Sequence, residues 1–97
     1  MIKHIVLFKR KADYDKAAFE EMMTGFRSIS GKISCVRNLT IGDDISHRGS
    51  FDLALCCDFD NEADLRTYGQ HPEHQRLIHE VLPKAVEDKR EVIDYPY

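Results

Sequence analysis

Ile2-Lys3-His4-Ile5-Val6-Leu7-Phe8-Lys9 opens the chain, and the way these residues alternate constrains everything that follows them. β-Branched and aromatic residues dominate the stretch, which suits an extended strand. One face carries Ile2, His4, Val6 and Phe8; the other carries Lys3, Ile5, Leu7 and Lys9. Both faces are apolar at the centre. A strand lying on the surface would alternate apolar with polar residues, so this one is predicted to be covered on both sides.

Beyond it the period changes. Phe19, Met22, Met23, Phe26, Ile29 and Ile33 recur at spacings of three and four, which predicts an amphipathic helix over 15–33 with Gly31 near its end. Two strand-like runs follow, over 36–41 and 51–59. Gly42, Asp43, Asp44, Ser46 and Gly49 lie between them and supply turn chemistry. Asp60 or Asn61 can cap a short helix ending at Tyr68-Gly69. Pro72 can start another, with His74, Leu77, Ile78 and Val81 on one side and Leu82-Pro83 closing it. A last strand is expected over 90–95.

The order β-α-β-β-α-α-β predicts an α+β, ferredoxin-like protomer: a four-stranded antiparallel sheet with helices on one face. Helices on one face leave the other bare. Ile5, Leu7, Leu39, Ile41, Ile93 and Tyr95 are expected to form an apolar patch there. Monomers rarely expose such patches, so a homodimer through the sheet faces, closing a dimeric α+β barrel, is the expected assembly.

With 97 residues the chain reads as a single domain over 1–97. Its net charge of −3, with cations scattered singly, argues against nucleic acid as a partner. No apolar run has the length of a membrane span, and the N-terminal residues do not resemble a signal peptide. Cys35, Cys56 and Cys57 are odd in number and lack redox or zinc spacing, which suits reduced thiols in a cytoplasmic protein.

Three polar residues fall where the pattern expects interior: His4 in the first strand, His74 on the apolar stripe of the last helix, and Tyr68 at the end of the helix before it. If these elements pack together, two imidazoles and a phenol share one cavity. Asp94 alternates with Val92 in the last strand and is placed to join His4. Histidine exchanges a proton near neutral pH, and a tyrosine hydroxyl can donate to a developing oxyanion; neither needs a cofactor. The alternative is that each histidine is a satisfied structural residue. His71-x-x-His74 offers two ligands and no third, too few for a zinc site, so no metal is expected. His71 is read as a helix cap or a residue at the pocket rim, and His47 and His79 as surface residues.

The opening 2–9, the run Asn38-Leu39-Thr40-Ile41-Gly42, the segment Leu65-Arg66-Thr67-Tyr68-Gly69-Gln70-His71-Pro72-Glu73-His74 and the ending Val92-Ile93-Asp94-Tyr95 together resemble the stress-responsive A/B barrel (Dabb) family. The Tyr-x-x-His-Pro-x-His piece alone also resembles related dimeric α+β barrel monooxygenases. The resemblance implies the same protomer and the same dimeric barrel. One plant member, olivetolic acid cyclase, closes a linear polyketide by aldol condensation without a cofactor. Its catalytic tyrosine and histidine match Tyr68 and His74, and a further active-site histidine matches His4. Pocket-lining positions implied in the same way are Val6, Phe8, Met23, Phe26, Leu55, Leu77, Val92 and Asp94. Met23 stands where that cyclase has an aromatic residue, and Glu87 aligns near the position of a pocket tryptophan in that cyclase, so a differently shaped cavity is implied.

These readings lead to a cofactor-independent cyclase, lyase or isomerase using a His–Tyr acid/base pair on a small apolar or carbonyl, polyketide-like compound. A non-catalytic, stress-associated or ligand-binding dimer is the second expectation. A cofactorless monooxygenase is the third.

Overall fold

A computed structural model describes residues 1–97. Its elements are β1 (Ile2–Arg10), α1 (Lys16–Ser28) extended by a 3₁₀ turn (Ile29–Gly31), β2 (Arg37–Asp43), β3 (Leu53–Phe59), α2 (Glu62–Gln70), α3 (Pro72–Arg76), a π-helical turn (Leu77–Val81), α4 (Leu82–Ala85) and β4 (Val86–Pro96). The four strands form one antiparallel sheet in the order β2-β3-β1-β4, with β1 inside it. This is the ferredoxin-like arrangement the pattern predicted.

Local chemistry accounts for the boundaries. Asp15 accepts from Ala18 N at 3.0 Å and starts α1; Asn61 accepts from Asp64 N at 2.8 Å and starts α2. His71 stands between α2 and α3 in an extended conformation, as the residue before a proline should. Its Nδ1 accepts from Glu73 N at 3.1 Å, so His71 is the cap of α3. Gly69 does not end α2, which runs one residue further to Gln70.

Pro83 does not end the helical run either. The wider π turn over Leu77–Val81 precedes it, and Pro83 falls in the first turn of α4, where a missing N–H leaves no bond unmade. Gly25 of α1 lets this π turn approach closely: a Cβ there would sit 2.7 Å from Leu77 Cδ2.

The core lies between the helices and one side of the sheet. Phe8, Phe26, Phe59, Met22, Leu53, Leu55 and Leu77 are fully enclosed in it. Each such side chain contributes roughly 1.5–3 kcal/mol by leaving water. No helix is long and apolar enough to cross a membrane.

The patch expected on the other side is smaller than the sequence suggested. Ile41 pairs with Leu55 and is 7 % exposed, and Leu39 packs against the same core, so both belong to the helix side. The register explains this. Arg37 pairs with Asp58 and Thr40 with Cys56, so β2 spends one residue more than β3 over that interval. Asn38 sits there with φ 54°, a left-handed conformation asparagine tolerates. One inserted residue moves every later side chain to the opposite face. The open face keeps Ile5, Leu7, Ile93 and Tyr95, of which Ile93 is 61 % exposed.

β4 begins at Val86, four residues earlier than expected, because it is an edge strand that leaves Glu87, Asp88 and Lys89 in water.

Candidate active site

Alternation along β1 turns His4, Val6 and Phe8 toward the helices, and alternation along β4 turns Arg90, Val92 and Asp94 the same way. The turn between α2 and α3 brings Tyr68 and His74 above them. The result is a cavity of about 160 Å³ lined by His4, Val6, Phe8, Phe26, Leu55, Tyr68, His74, Ile78, Arg90 and Val92. Because β4 is at the sheet edge, the helices leave Val92 half exposed, and the cavity opens on that side.

Tyr68 holds the group together. Its ring centroid lies 4.3 Å from that of His74, 5.8 Å from His4 and 5.2 Å from Phe59. At 2 % exposure the phenol is largely dry, and burial pushes its pKa well above the ordinary range. It therefore stays protonated at neutral pH. No hydrogen bond within the chain engages its hydroxyl, which is left as a donor for an occupant of the cavity.

His74 is held in one tautomer. Its Nδ1 lies 3.2 Å from the Gly69 carbonyl, which also accepts from Gln75 Nε2 at 2.6 Å. A carbonyl can only accept, so Nδ1 carries the proton and the neutral ring keeps its lone pair on Nε2. Burial lowers the pKa of His74, the bond to Gly69 opposes that, and the nearby Arg90 guanidinium lowers it further. At pH 7 His74 is a free base.

His4, 9 % exposed, donates from Nδ1 to Asp94 Oδ1, directly opposite it in the β1–β4 register. The carboxylate fixes the tautomer and orientation of the ring. One neutral imidazole, one carboxylate-supported imidazole and one phenol thus face an apolar space. The set can remove a proton at one point and supply one at another.

His4, Tyr68 and His74 come together as the sequence expected, with Val6, Phe8, Phe26, Leu55 and Val92 on the walls. Asp94 acts through His4 and is not a wall residue. Met23 and Leu77 do not line the cavity; both are buried in the adjoining core, Leu77 against Gly25. His71 is absent from the walls because its ring is committed to capping α3. Its Nδ1 faces a backbone N–H and that of His74 a backbone carbonyl, so those two nitrogens do not converge on one point. Ile78 and Arg90 were missed. The signal for Arg90 was its parity with Val92 and Asp94 in β4.

Two larger clefts lie elsewhere. One, of about 270 Å³, is between Leu7 and Ala54 on the open face and the loop joining β2 to β3. The other, of about 320 Å³, runs between α1 and α3 and is bordered by ion pairs of Arg76 with Glu21 and Glu73. Neither contains a histidine or tyrosine. Burial raises the Cys57 thiol to about 12, so it stays an inert core residue, and all three cysteines are free.

Comparison with known proteins agrees with this architecture. The chain is 31% identical over 86 residues to a stress-response A/B barrel domain-containing protein of Arabidopsis thaliana; the match takes in 86% of this chain and 32% of that longer protein. The chain therefore spans about a third of that relative. A dimeric protein of ferredoxin-like fold from Bacteroides fragilis superposes with a TM-score of 0.84 and 29% identity, covering 99% of this chain and 95% of the other. The hydroxynitrile lyase of Passiflora edulis shares the fold at a TM-score of 0.83 and 17% identity, with 97% and 90% covered. The profile of the Stress Responsive A/B Barrel Domain matches residues 2–97, and the chain belongs to that family.

Proposed function

We propose that this chain is a cofactor-independent acid–base catalyst of the cyclase, lyase or isomerase kind, acting as a homodimer on a small carbonyl compound. The observation that carries the reading is the placement of Tyr68 at 4.3 Å from a neutral, tautomer-fixed His74 within a cavity whose other walls, His4 and Arg90 apart, are apolar. His74 Nε2 takes the proton from a carbon next to the substrate carbonyl. The Tyr68 hydroxyl donates to the oxygen on which negative charge gathers. His4, steadied by Asp94, exchanges a proton with the oxygen or the leaving group. A dry site strengthens each of these interactions. The existence of a lyase on the same fold is compatible with this chemistry.

The dimer is supported by the Ile5, Leu7, Ile93 and Tyr95 face and by the dimeric state of the Bacteroides protein. Three free thiols suit a reducing compartment such as the cytoplasm.

Turnover of a panel of polyketide-like lactones, cyanohydrins and small ketones tests the reading with wild type and Tyr68→Phe. Loss of the hydroxyl is expected to lower turnover by about 10²–10³-fold with the fold intact. Equal rates for the two proteins on every substrate would contradict it.

A second reading, a non-catalytic ligand-binding dimer, is favoured by one observation: His4 and His74 each have a polar partner inside the chain. It predicts that His74→Leu keeps or raises thermal stability while ligand binding persists.

A further inference from the structure

We infer that Arg90 makes this cavity selective for a compact anion, a small carboxylate whose charged end seats on the guanidinium while its carbonyl end reaches Tyr68 and His74. The inference deepens the reading above by naming the substrate class, and it rests on the same cavity being a small-molecule site.

Three features point to it. The first is position. Arg90 is paired with Phe8 in the β1–β4 register, and its guanidinium carbon lies 5.7 Å from the centroid of the Phe8 ring, so the charge is drawn over an apolar wall of the cavity. The second is the want of a partner. Arg10, Arg37 and Arg76 each hold a carboxylate: Asp43, Asp60, and Glu21 with Glu73. Arg90 joins no ion pair or hydrogen bond within the chain. Asp94, on its own face of β4, is taken by His4, and Asp88, two residues before it on that face, is not in ion-pair contact with it. A half-buried guanidinium with five donors and no acceptor invites a planar, bidentate anion.

Size is the third feature. A cavity of about 160 Å³ matches the roughly 150 Å³ that suffices for a benzene ring in an apolar protein cavity. A single ring or a short chain fills it. The charge also reaches the chemistry: Arg90 lowers the proton affinity of His74, so an anion that neutralises Arg90 makes His74 a stronger base. An uncharged substrate would leave that penalty in place.

Benzoate and benzamide, equal in shape and different in charge, are the probes. Calorimetric titration of wild type is expected to give at least about tenfold tighter binding of benzoate. In Arg90→Leu the two should bind alike, and Arg90→Lys should restore part of the preference. In wild type, benzoate should also raise the pKa of His74 read by NMR, and benzamide should not. Equal affinities in wild type, a preference that survives Arg90→Leu, or no saturable binding of either probe at millimolar concentration would overturn the inference. Failure of the proton-transfer reading looks different: the Arg90-dependent preference persists, in wild type and in His74→Ala, while no carbonyl compound is turned over.

Discussion

On the helix side of the sheet, Leu53, Leu55, Cys57 and Phe59 are sealed from water; on the other side Ile5 and Leu7 are half-exposed, and Ile93 lies mostly in the open. The same strands make both faces, so the difference is one of cover. The covered side has helices to enclose a cavity and dehydrate His74 and Tyr68. The open side has a short apolar stripe bordered by charge: Lys3, Lys9, Glu91 and Asp58 share it. Even there one polar group is dry. Asp58 is 5 % exposed because Lys3 Nζ at 2.7 Å, Tyr97 Oη at 2.7 Å and Asn38 Nδ2 at 3.1 Å all close on its carboxylate. The proposed chemistry thus lies on the face that excludes solvent, and the proposed dimer contact on the face that does not.

Truncation on the covered side should show the contrast most strongly. Phe59→Ala removes a ring with no exposure that packs on Tyr68, and a loss of about 3–5 kcal/mol is expected in urea unfolding. A loss under about 1 kcal/mol would mean the core is not concentrated on that face. Ile93→Asp should do the reverse. It puts charge into the open stripe, and sedimentation at micromolar concentration should show monomers whose far-UV circular dichroism is unchanged. A persistent dimer would locate the interface elsewhere.

Smaller effects follow from protonation. Hydrogen bonds from Lys3, Tyr97 and Asn38 lower the Asp58 pKa to about 2 from an ordinary 3.8. Its stabilisation is present above 3.8 and disappears as the pH falls through about 2. Asp58→Asn should flatten acid unfolding across that window, measured by the urea midpoint. His74 has the same sign for a different reason. Burial lowers its folded pKa below 6.5, so below 6.5 the unfolded chain takes up a proton that the folded one refuses. Stability should decline as pH drops from 6.5 to the folded value and then level off. His74→Gln should remove that slope; if the slope remains, another group is responsible.

Much of this was legible from residue order. Alternation in 2–9, the three-four spacing from Phe19 to Phe26 and the Pro72 start each state a local preference that packing kept. The helix expected to reach Ile33 instead tightens into a 3₁₀ turn after Ser28 and ends at Gly31. What escaped depended on partners. The extra residue at Asn38 is visible only once β2 is laid against β3, and it moved Leu39 and Ile41 to the opposite face. Glu87, Asp88 and Lys89 read as a connector because an edge strand does not require apolar residues on its exposed positions. Pro83 read as a stop because nothing local announces a π turn.

The site divides in the same way. His4, Tyr68 and His74 stood out as polar residues at interior positions, and they meet. The resemblance implied Met23 and Leu77 as wall residues, but both lie in the adjoining core. His71 was two possibilities, and the cap is the one realised. Arg90 was passed over because a charge in a charged segment carries no signal until its parity with Val92 and Asp94 is known.

Carbon-proton exchange tests the central claim most directly, since it asks only whether the covered face moves a proton. Small oxo-carboxylates incubated in heavy water, followed by proton NMR, should lose the signal next to the carbonyl faster with wild type than with buffer. His74→Ala should slow that exchange by about 10²–10⁴-fold while circular dichroism and melting stay near wild type. Exchange no faster than buffer, or equally fast in wild type and His74→Ala, would contradict the assignment of proton transfer to this cavity.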